Sequence, residues 1–372
     1  MRYIWIGMIL CFLSVSLAVG CIKAEDQSDD EKNDEALQPA EHFVYRHLMS
    51  DQGLIKTGFS DQPVYLSESL GLWMEFLISK KDGEHFHEQY QHLNESFLMN
   101  NNLVSWQIQN GQASGVNALI DDLRIMVSLD QAAALWGNSE YKQTARNIGA
   151  ALRKYNMNNG ILTDFYDSAS QSAAKDITLS YIMPDALSIL KKNGVINKEL
   201  ESRNASILYL APLKNGFLPK AYSTETKAYT YDHEVNLIDQ LYAAWHLPPK
   251  DQKAAVLADW LKQTFQTGGK LYGRYSLDTK KPAVQYESPS VYALAILFFI
   301  NQNEDKTVIK ALYDRMNDFE ILDSSETYYG GYMSGNDTHS FDNLLPLLAE
   351  RQPSAIYKPS TADSKIRRNQ DG

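Results

Sequence analysis

From residue 41 onward the hydrophobic residues follow the period of α-helices. Apolar positions recur three and four residues apart in one segment after another, and no long run alternates between apolar and polar residues. This pattern predicts an all-α domain. The expected helices cover 41–50, 65–80, 84–99, 118–136, 138–155, 179–193, 197–210, 232–246, 251–266, 288–302, 304–318 and 339–350.

The predicted helices form pairs, and a longer loop precedes the first helix of each pair. These helix starts recur about every 50 to 60 residues, which indicates a repeated helical hairpin. The starts lie near Ser67, Asp121, Ser180, Asp232, Ser288 and Ser340. Six hairpins can close into an (α/α)6 barrel, a toroid whose inner helices begin at one face and surround a groove. An open α-solenoid shares the repeat but needs polar capping repeats at both ends.

The N-terminus has the features of a secretory signal. Arg2 precedes an apolar run over residues 3–19, and small residues lead to Cys21. The segment resembles a bacterial lipoprotein signal, which predicts a lipid anchor at Cys21 and a location on the outer face of the cell membrane. Simple cleavage and a retained membrane anchor are the alternatives. The expected organisation is a signal peptide at 1–20, a polar tether at 21–40, the helical domain at 41–350 and a polar tail at 351–372.

Charge and composition narrow the classes of ligand. Lys and Arg total 35 against 46 Asp and Glu, and the net charge of -11 argues against a nucleic-acid partner. The only two cysteines, Cys11 and Cys21, lie in the leader, so the mature domain has neither a disulfide nor a thiol nucleophile. The eight histidines lack metal-ligand spacing, so we expect no metal and no other cofactor. The 22 tyrosines and 6 tryptophans suit a polysaccharide substrate, because sugar rings stack on aromatic faces. No protein partner is indicated.

Acidic residues mark three of the predicted helix starts. Glu68 follows Ser67 in a first turn, where the helix dipole alone would also favour it. Gly71, which costs about 1 kcal/mol relative to Ala inside a helix, suggests that another group approaches the backbone there. Asp121 and Asp122 are adjacent and therefore point in different directions, so at most one can face a groove.

Asp232 is the third of these acids, and it can be interpreted either as a helix N-cap or as part of a polar site. Tyrosines precede it, and His233 and Glu234 follow it. Aromatic residues near the helix starts are candidate substrate contacts: Trp73, Trp106, Tyr181, Tyr229, Tyr231, Tyr286 and Tyr329.

Three of these segments resemble motifs of glycoside hydrolase family 8, the bacterial endoglucanases, chitosanases and related enzymes. Segment 67–71 (SESLG) is similar to the S-E-x-x-G segment that bears the catalytic acid, segment 118–123 (ALIDDL) to A-T-D-x-D-L, and segment 231–232 (YD) to the start of Y-D-A-x-R. Ile120 replaces the first acid of the second motif, and segment 233–235 (HEV) replaces A-x-R in the third. With these departures, the sequence resembles the exopolysaccharide-associated lipoproteins of Gram-positive bacteria more than it resembles a cellulase.

The resemblance implies an inverting hydrolase that cleaves a bacterial exopolysaccharide or a β-1,4-linked glycan. Glu68 would be the general acid and Asp232 the general base, and their carboxyl groups would lie about 6.5–9.5 Å apart. Asp122 is the better match for the sugar-binding acid, and Asp121 is the alternative. Two other functions stay open: a polysaccharide lyase, which needs a base such as Tyr231 or His233, and a non-catalytic glycan-binding lipoprotein of an export system.

Overall fold

Twelve α-helices form the framework of residues 37–352, the part of the chain described by this computed structural model. They are α1 (Pro39–Phe43), α2 (Ser67–Lys80), α3 (Gly83–His92), α4 (Leu119–Trp136), α5 (Ser139–Tyr155), α6 (Pro184–Lys192), α7 (Lys198–Tyr209), α8 (Leu237–Trp245), α9 (Gln252–Gly268), α10 (Pro289–Asn301), α11 (Lys306–Asn317) and α12 (Phe341–Glu350). The signal segment 1–20, Cys21 and most of the tether and tail lie outside the described residues. Within residues 37–352 no helix combines the length and the apolar character needed to cross a bilayer.

Six of the helices are arranged in a closed inner ring. Helix α2 packs against α4 on one side and α12 on the other, and α10 lies between α8 and α12. The ring is completed by a 3-10 turn (Leu179–Tyr181) and α6, which connect α4 to α8. Among the described residues, each inner helix before α12 is followed along the chain by an outer helix that packs on it, and α1 packs on α12. The closed ring confirms the predicted (α/α)6 barrel and rules out the open solenoid.

The difference between inner and outer helices follows from their sequences. Helix α10 is apolar on all sides and buries every residue from Pro289 to Phe299, as an inner helix surrounded by neighbours must. Helix α5 is amphipathic and buries a single stripe that includes Tyr141, Ala145, Ile148 and Leu152. Inner helices therefore form the core, while outer helices cover it and face solvent.

Short antiparallel strands lie in the loops that precede the inner helices. They are β1 (Val64–Leu66), β2 (Gln107–Gln109), β3 (Gln112–Ala113), β4 (Met157–Asn158), β5 (Ile161–Leu162), β6 (Tyr166–Asp167), β7 (Ser172–Ala173), β8 (Asp176–Thr178), β9 (Ala221–Ser223), β10 (Tyr229–Thr230), β11 (Glu234–Asn236) and β12 (Arg274–Ser276). Two three-stranded sheets, β1-β2-β3 and β10-β9-β8, fix the loops next to α2 and α8.

One predicted helix start is wrong. Helix α8 begins at Leu237, five residues after Asp232, because residues 234–236 are extended and pair with β12 in the register Val235↔Tyr275. Asn236 supplies the N-cap instead, and its side chain accepts a hydrogen bond from the backbone N–H of Ile238. Asp232 therefore lies in the loop before the strand and does not open the helix.

The helix predicted over 179–193 is divided into two pieces. The 3-10 turn ends at Tyr181 and α6 starts at Pro184, since a proline cannot donate a backbone hydrogen bond and disfavours helical geometry in the residue before it. Helices α1 and α3 each continue into one π-helical turn, Val44–Leu48 and Leu93–Phe97. These features change local geometry without changing the order of the six hairpins.

Candidate functional site

Hydrogen bonds between serines and aspartates connect the starts of neighbouring inner helices. Ser67 donates to Asp121, Ser180 to Asp239, and Ser288 to Asp342, while Ser69 and Ser340 share a bond that links α2 to the start of α12. The Ser67–Asp121 and Ser180–Asp239 bonds are each 2.8 Å long. The inner helix starts therefore lie together at one face of the barrel, as predicted from their spacing.

Glu68 lies in the first turn of α2 within this acidic face, and its side chain is partly accessible. The surrounding protein desolvates the carboxylate, and the negative charges of Asp121 and Asp342 add to that effect. Together they raise the pKa of Glu68 to about 7, although the positive charge of Arg124 opposes the rise. A carboxyl group with this pKa holds a proton near neutral pH and can donate it to a leaving group.

Asp121 is the acid that neighbours Glu68. It is buried on α4, accepts a hydrogen bond from Ser67 Oγ, and pairs with Arg124 at 3.0 Å between Oδ1 and Nη1. Burial raises the pKa of Asp121, while Arg124 and Ser67 act to lower it. Asp121 therefore links the start of α2 to a buried cation on its own helix.

Asp122, the better motif match, does not face this site. It is fully buried and accepts hydrogen bonds from the backbone N–H of Val104 at 3.2 Å and from Asn117 Nδ2 at 2.9 Å. Both donors belong to the loop between α3 and α4, so Asp122 holds that loop against α4. Of the two candidates for the sugar-binding acid, Asp122 is therefore buried against this loop, and Asp121, the alternative, is the one beside Glu68.

On the opposite side of the ring, α8 presents a different pair of acids. Asp239, in the first turn of α8, accepts a hydrogen bond from Ser180 and forms an ion pair with Lys220 at 2.5 Å. Asp232 is exposed, and it lines a small cavity together with Lys220, Asp239 and Tyr231. Asp232 in the loop and Asp239 in the helix therefore line the same cavity. Of the two, Asp239 is the one that pairs with Lys220.

The candidate aromatic residues have different environments. Trp106 is 40% exposed, and its carbonyl accepts a hydrogen bond from the backbone N–H of Ser67, which places the indole next to the start of α2. Tyr286 is 54% exposed and immediately precedes the loop that caps α10. Tyr181 is half-buried, and the negative charges of Asp121, Asp164, Asp239 and Glu68 assist burial in raising its pKa. The Tyr181 hydroxyl is therefore close to the acids of both sides.

The other four aromatic residues predicted to contact substrate are buried or contact other parts of the protein. Trp73 is completely buried and stacks on Phe76 with ring centres 5.0 Å apart, so it is a core residue that cannot touch a substrate. Tyr229 and Tyr231 donate their hydroxyl hydrogens to the carbonyls of Ile207 and Pro212. Tyr329 is partly buried near His42 of α1.

Sequence reasoning missed several groups at this face. Asp239 and Asp342 lie in the first turns of α8 and α12, the same position that Glu68 and Asp121 occupy in their helices. A search for an acid in the first turn of each predicted inner helix would have found Asp342, but not Asp239, because the sequence placed the start of that helix at Asp232. Phe165, 43% exposed in the loop after β5, and Arg124, buried inside the barrel, gave no such signal.

No family model matches this chain. A curated relative, the candidate lipoprotein YdaJ of Bacillus subtilis (strain 168), is 70% identical over 356 residues, which cover 95% of this chain and 98% of YdaJ.

Solved structures share the whole barrel. A novel alpha-amylase from Clostridium perfringens is 25% identical with a TM-score of 0.76, covering 84% of this chain and 96% of that one. PssZ from Listeria monocytogenes is 27% identical with a TM-score of 0.71, covering 85% and 96%.

The endoglucanase Cel10 from Klebsiella pneumoniae, a family 8 glycosyl hydrolase, is 16% identical with a TM-score of 0.60, covering 84% of this chain and 98% of that one. At this identity the likeness concerns the fold, and the fold is the one that the three sequence motifs led us to expect. By its identity to a relative of nearly equal length and by its inner ring of helices, the chain belongs to the YdaJ family and is built on the (α/α)6 barrel of the family 8 glycoside hydrolases.

Proposed function

We propose that the protein is a secreted, membrane-tethered glycoside hydrolase that cleaves a polysaccharide with inversion at the anomeric carbon. The observation that carries this proposal is Glu68, a groove-side carboxyl group whose pKa is raised to about 7 by burial and by two neighbouring acids. An acid of this kind protonates the departing glycosidic oxygen at neutral pH. Ser67 and Arg124 hold Asp121 beside it, where its carboxylate can accept a hydrogen bond from a sugar hydroxyl.

Asp232 remains our candidate for the general base. An inverting base has to activate a water molecule on the far side of the sugar ring and therefore needs a carboxylate that water can reach. Asp232 is exposed, whereas Asp239 beside it is engaged with Lys220 and Ser180. Their shared cavity on the α8 side supports a division in which Asp239 organises the wall and Asp232 performs the chemistry.

The exposed aromatic rings and the similar structures support a polysaccharide as the substrate class. Exposed rings at Trp106 and Tyr286 suit stacking on pyranose faces. The proposed substrates are a bacterial exopolysaccharide and β-1,4-linked glycans. The decisive experiment incubates the purified domain with exopolysaccharide, cellulose, chitosan, xylan and starch and measures reducing ends. Starch is included because one of the similar structures is an alpha-amylase. If none of these glycans releases reducing ends, the proposal is contradicted. If starch alone releases them, the protein cleaves the linkage of starch and not a β-1,4 linkage.

The lyase alternative makes a distinct prediction. A lyase would create a carbon–carbon double bond whose ultraviolet absorbance grows with product, whereas a hydrolase would not. The structure gives the lyase less support, because Tyr231, one of its candidate bases, already donates its hydroxyl hydrogen to the Pro212 carbonyl. Absorbance that rises together with reducing ends would favour the lyase.

The proposed tether depends on Cys21. Replacing Cys21 with Ser removes the thiol that a lipid would modify, so we expect the variant to appear in the culture medium while the parent stays with the membrane fraction. Immunoblots of the two fractions measure this. A Cys21→Ser protein retained as firmly as the parent would contradict lipid anchoring while leaving the hydrolase proposal intact.

A further inference from the structure

A single buried arginine connects three inner helices below the acidic face. Arg124 of α4 is 3% exposed, donates to Asp121 at 3.0 Å, and donates to the hydroxyl of Tyr242 on α8 at 3.3 Å. Its Nε lies 4.0 Å from Oε1 of Glu75, two turns below Glu68 on the same face of α2. The guanidinium charge is therefore placed between an upper pair of acids, Glu68 and Asp121, and a lower acid, Glu75.

Gly71 fixes the path of the arginine side chain. A Cβ at this position would lie 2.9 Å from Arg124 Cδ and 3.3 Å from its Cγ, so the aliphatic part of Arg124 crosses α2 where the glycine leaves room. The sequence indicated that a group approaches the backbone at Gly71, and the group is this arginine. Because Arg124 is buried and bonded at its far end, it cannot move aside without losing partners.

The other titratable groups described around Arg124 do not supply a second positive charge. His246, the residue after α8, stays neutral, since burial and Arg124 lower its pKa to about 4. Asp342 of α12 faces Glu68 from the other side and adds negative charge. Burial raises the pKa of Tyr242, so its hydroxyl stays protonated. Arg124 is thus the cation that acts on Glu68, Asp121 and Glu75 together.

We propose that Glu75 is a positioning residue, because its carboxylate attracts the guanidinium of Arg124 along the barrel axis. Arg124 then holds Asp121 beside Glu68 while Glu68 keeps its proton. This inference rests on the proposed role of Glu68 as the acid. Glu75 itself lies below the groove and does not touch the reacting bond. It acts through Arg124, and Gly71 is the structural requirement for that path.

Two substitutions on α2 should shift the titration of Glu68 in opposite directions. Burial raises the pKa of Glu75 and Arg124 opposes that rise, so the carboxylate of Glu75 is stabilised by Arg124. Glu75→Gln removes this carboxylate, so Arg124 acts more strongly on Glu68 and the titration midpoint of Glu68 should move to lower pH. Gly71→Ala displaces Arg124 from both upper acids, and the midpoint should move to higher pH. We expect each shift to be about half to one pH unit. A general loosening of the helix cannot produce opposite signs.

The titration is followed in two ways. Carboxyl ¹³C resonances of protein labelled at glutamate, assigned with Glu68→Gln, report the proton directly and need no substrate. The alkaline limb of kcat/KM against pH reports the same group where a cleaved glycan is known. Failure to hydrolyse any glycan would therefore contradict the proposed function and leave the resonance titration as an independent test of charge sharing.

Glu41→Gln is the matched control. Glu41 is also buried and pairs with a cation of α2, Lys80, at 2.6 Å, but Lys80 lies about 18 Å along the helix from Glu68. This variant should lower stability and leave the Glu68 midpoint unchanged. The inference is overturned if Glu75→Gln and Gly71→Ala both match Glu41→Gln or shift the midpoint in the same direction. If one variant does not fold, the sign of the other decides.

Discussion

The two sides of the acidic face use the same hydrogen-bonding device in different surroundings. On the α2–α4 side Ser67 holds Asp121, and on the α8 side Ser180 holds Asp239, each at 2.8 Å. The cation differs. Asp121 pairs with Arg124, whose side chain is 4% exposed, whereas Asp239 pairs with Lys220, whose side chain is 35% exposed. The first side is shielded from water and the second is open to it.

This contrast shows how one fold can give two carboxyl groups different environments, as the proposed division into acid and base requires. Desolvation favours the protonated form of a carboxyl group, so the closed side raises the pKa of Glu68. The open side leaves Asp232 in contact with solvent, as activation of water requires. The same barrel therefore contains two carboxyl environments. They differ in how deeply the neighbouring cation is buried and in the shape of the surrounding loops. The substitutions that follow test this division, beginning with the largest expected effect.

Glu68→Gln should lower kcat by about 10²–10⁴-fold, because glutamine keeps the shape of the side chain but cannot donate a proton to the leaving group. Reducing-sugar release under saturating substrate measures the loss. Glu88→Gln, on an exposed position of the outer helix α3, is the control and should keep parental activity. Parental activity in Glu68→Gln would show that the closed side does not contain the acid.

Asp232→Asn should lower kcat by about 10²–10³-fold without destabilising the fold, since an exposed loop carboxylate contributes little packing. Asp239→Asn should instead weaken the ion pair with Lys220 and reduce the free energy of unfolding by about 1 kcal/mol. Comparing kcat with denaturant unfolding separates the two roles. The reverse result, with catalysis lost in Asp239→Asn and kept in Asp232→Asn, would assign water activation to the helix acid.

The sequence predicted the fold in more detail than the site. Helical periodicity located the hairpins because the apolar pattern of an inner helix such as α10 and the amphipathic pattern of an outer helix such as α5 are both local. A further local signal was available. The turns that follow the outer helices contain Gly or Asn residues with positive φ, at Gly53, Asn102, Gly160, Gly216 and Gly269, and such residues are typical of turns.

The site was harder to predict because its properties depend on pairs distant in sequence. Nothing near Asp232 revealed that residues 234–236 pair with β12, about 40 residues later, and so move the start of α8. Motif spacing favoured Asp122, while the partners that bury it, Val104 and Asn117, lie in a preceding loop. First-turn position identified Glu68, but its raised pKa required knowing that Asp342 and Arg124 surround it.

The stability of the closed side should depend on pH with a defined sign. The pKa of Glu68 rises from 4.5 to about 7 on folding, so the folded protein binds the proton more tightly than the unfolded chain. This contribution is fully present below pH 4.5 and is lost as the pH rises to about 7. Glu68→Gln should therefore be more stable than the parent at pH 8, by about 1–2 kcal/mol after allowance for solvent screening.

Urea unfolding at pH 4.5 and pH 8 measures the difference between parent and variant. The gap should be small at pH 4.5, where glutamine replaces a neutral carboxyl group, and should open at pH 8. An equal gap at both values would mean that Glu68 is as solvated as Asp232 and that the two sides of the face do not differ.

The smallest expected effect concerns the two exposed aromatic rings near the inner helix starts. Trp106, next to the start of α2, and Tyr286, before α10, are both exposed. Removing one stacking ring should weaken substrate binding by about 0.5–1.5 kcal/mol, so Trp106→Ala and Tyr286→Ala should each raise KM by roughly 2- to 10-fold. Trp106→Phe should recover most of the loss, since a smaller ring can still stack. Leu210→Ala, at an exposed apolar position after the outer helix α7, is the control and should leave KM unchanged. An unchanged KM in both ring variants would place the substrate away from the groove, whereas an effect confined to Trp106 would restrict tight sugar contacts to the closed side.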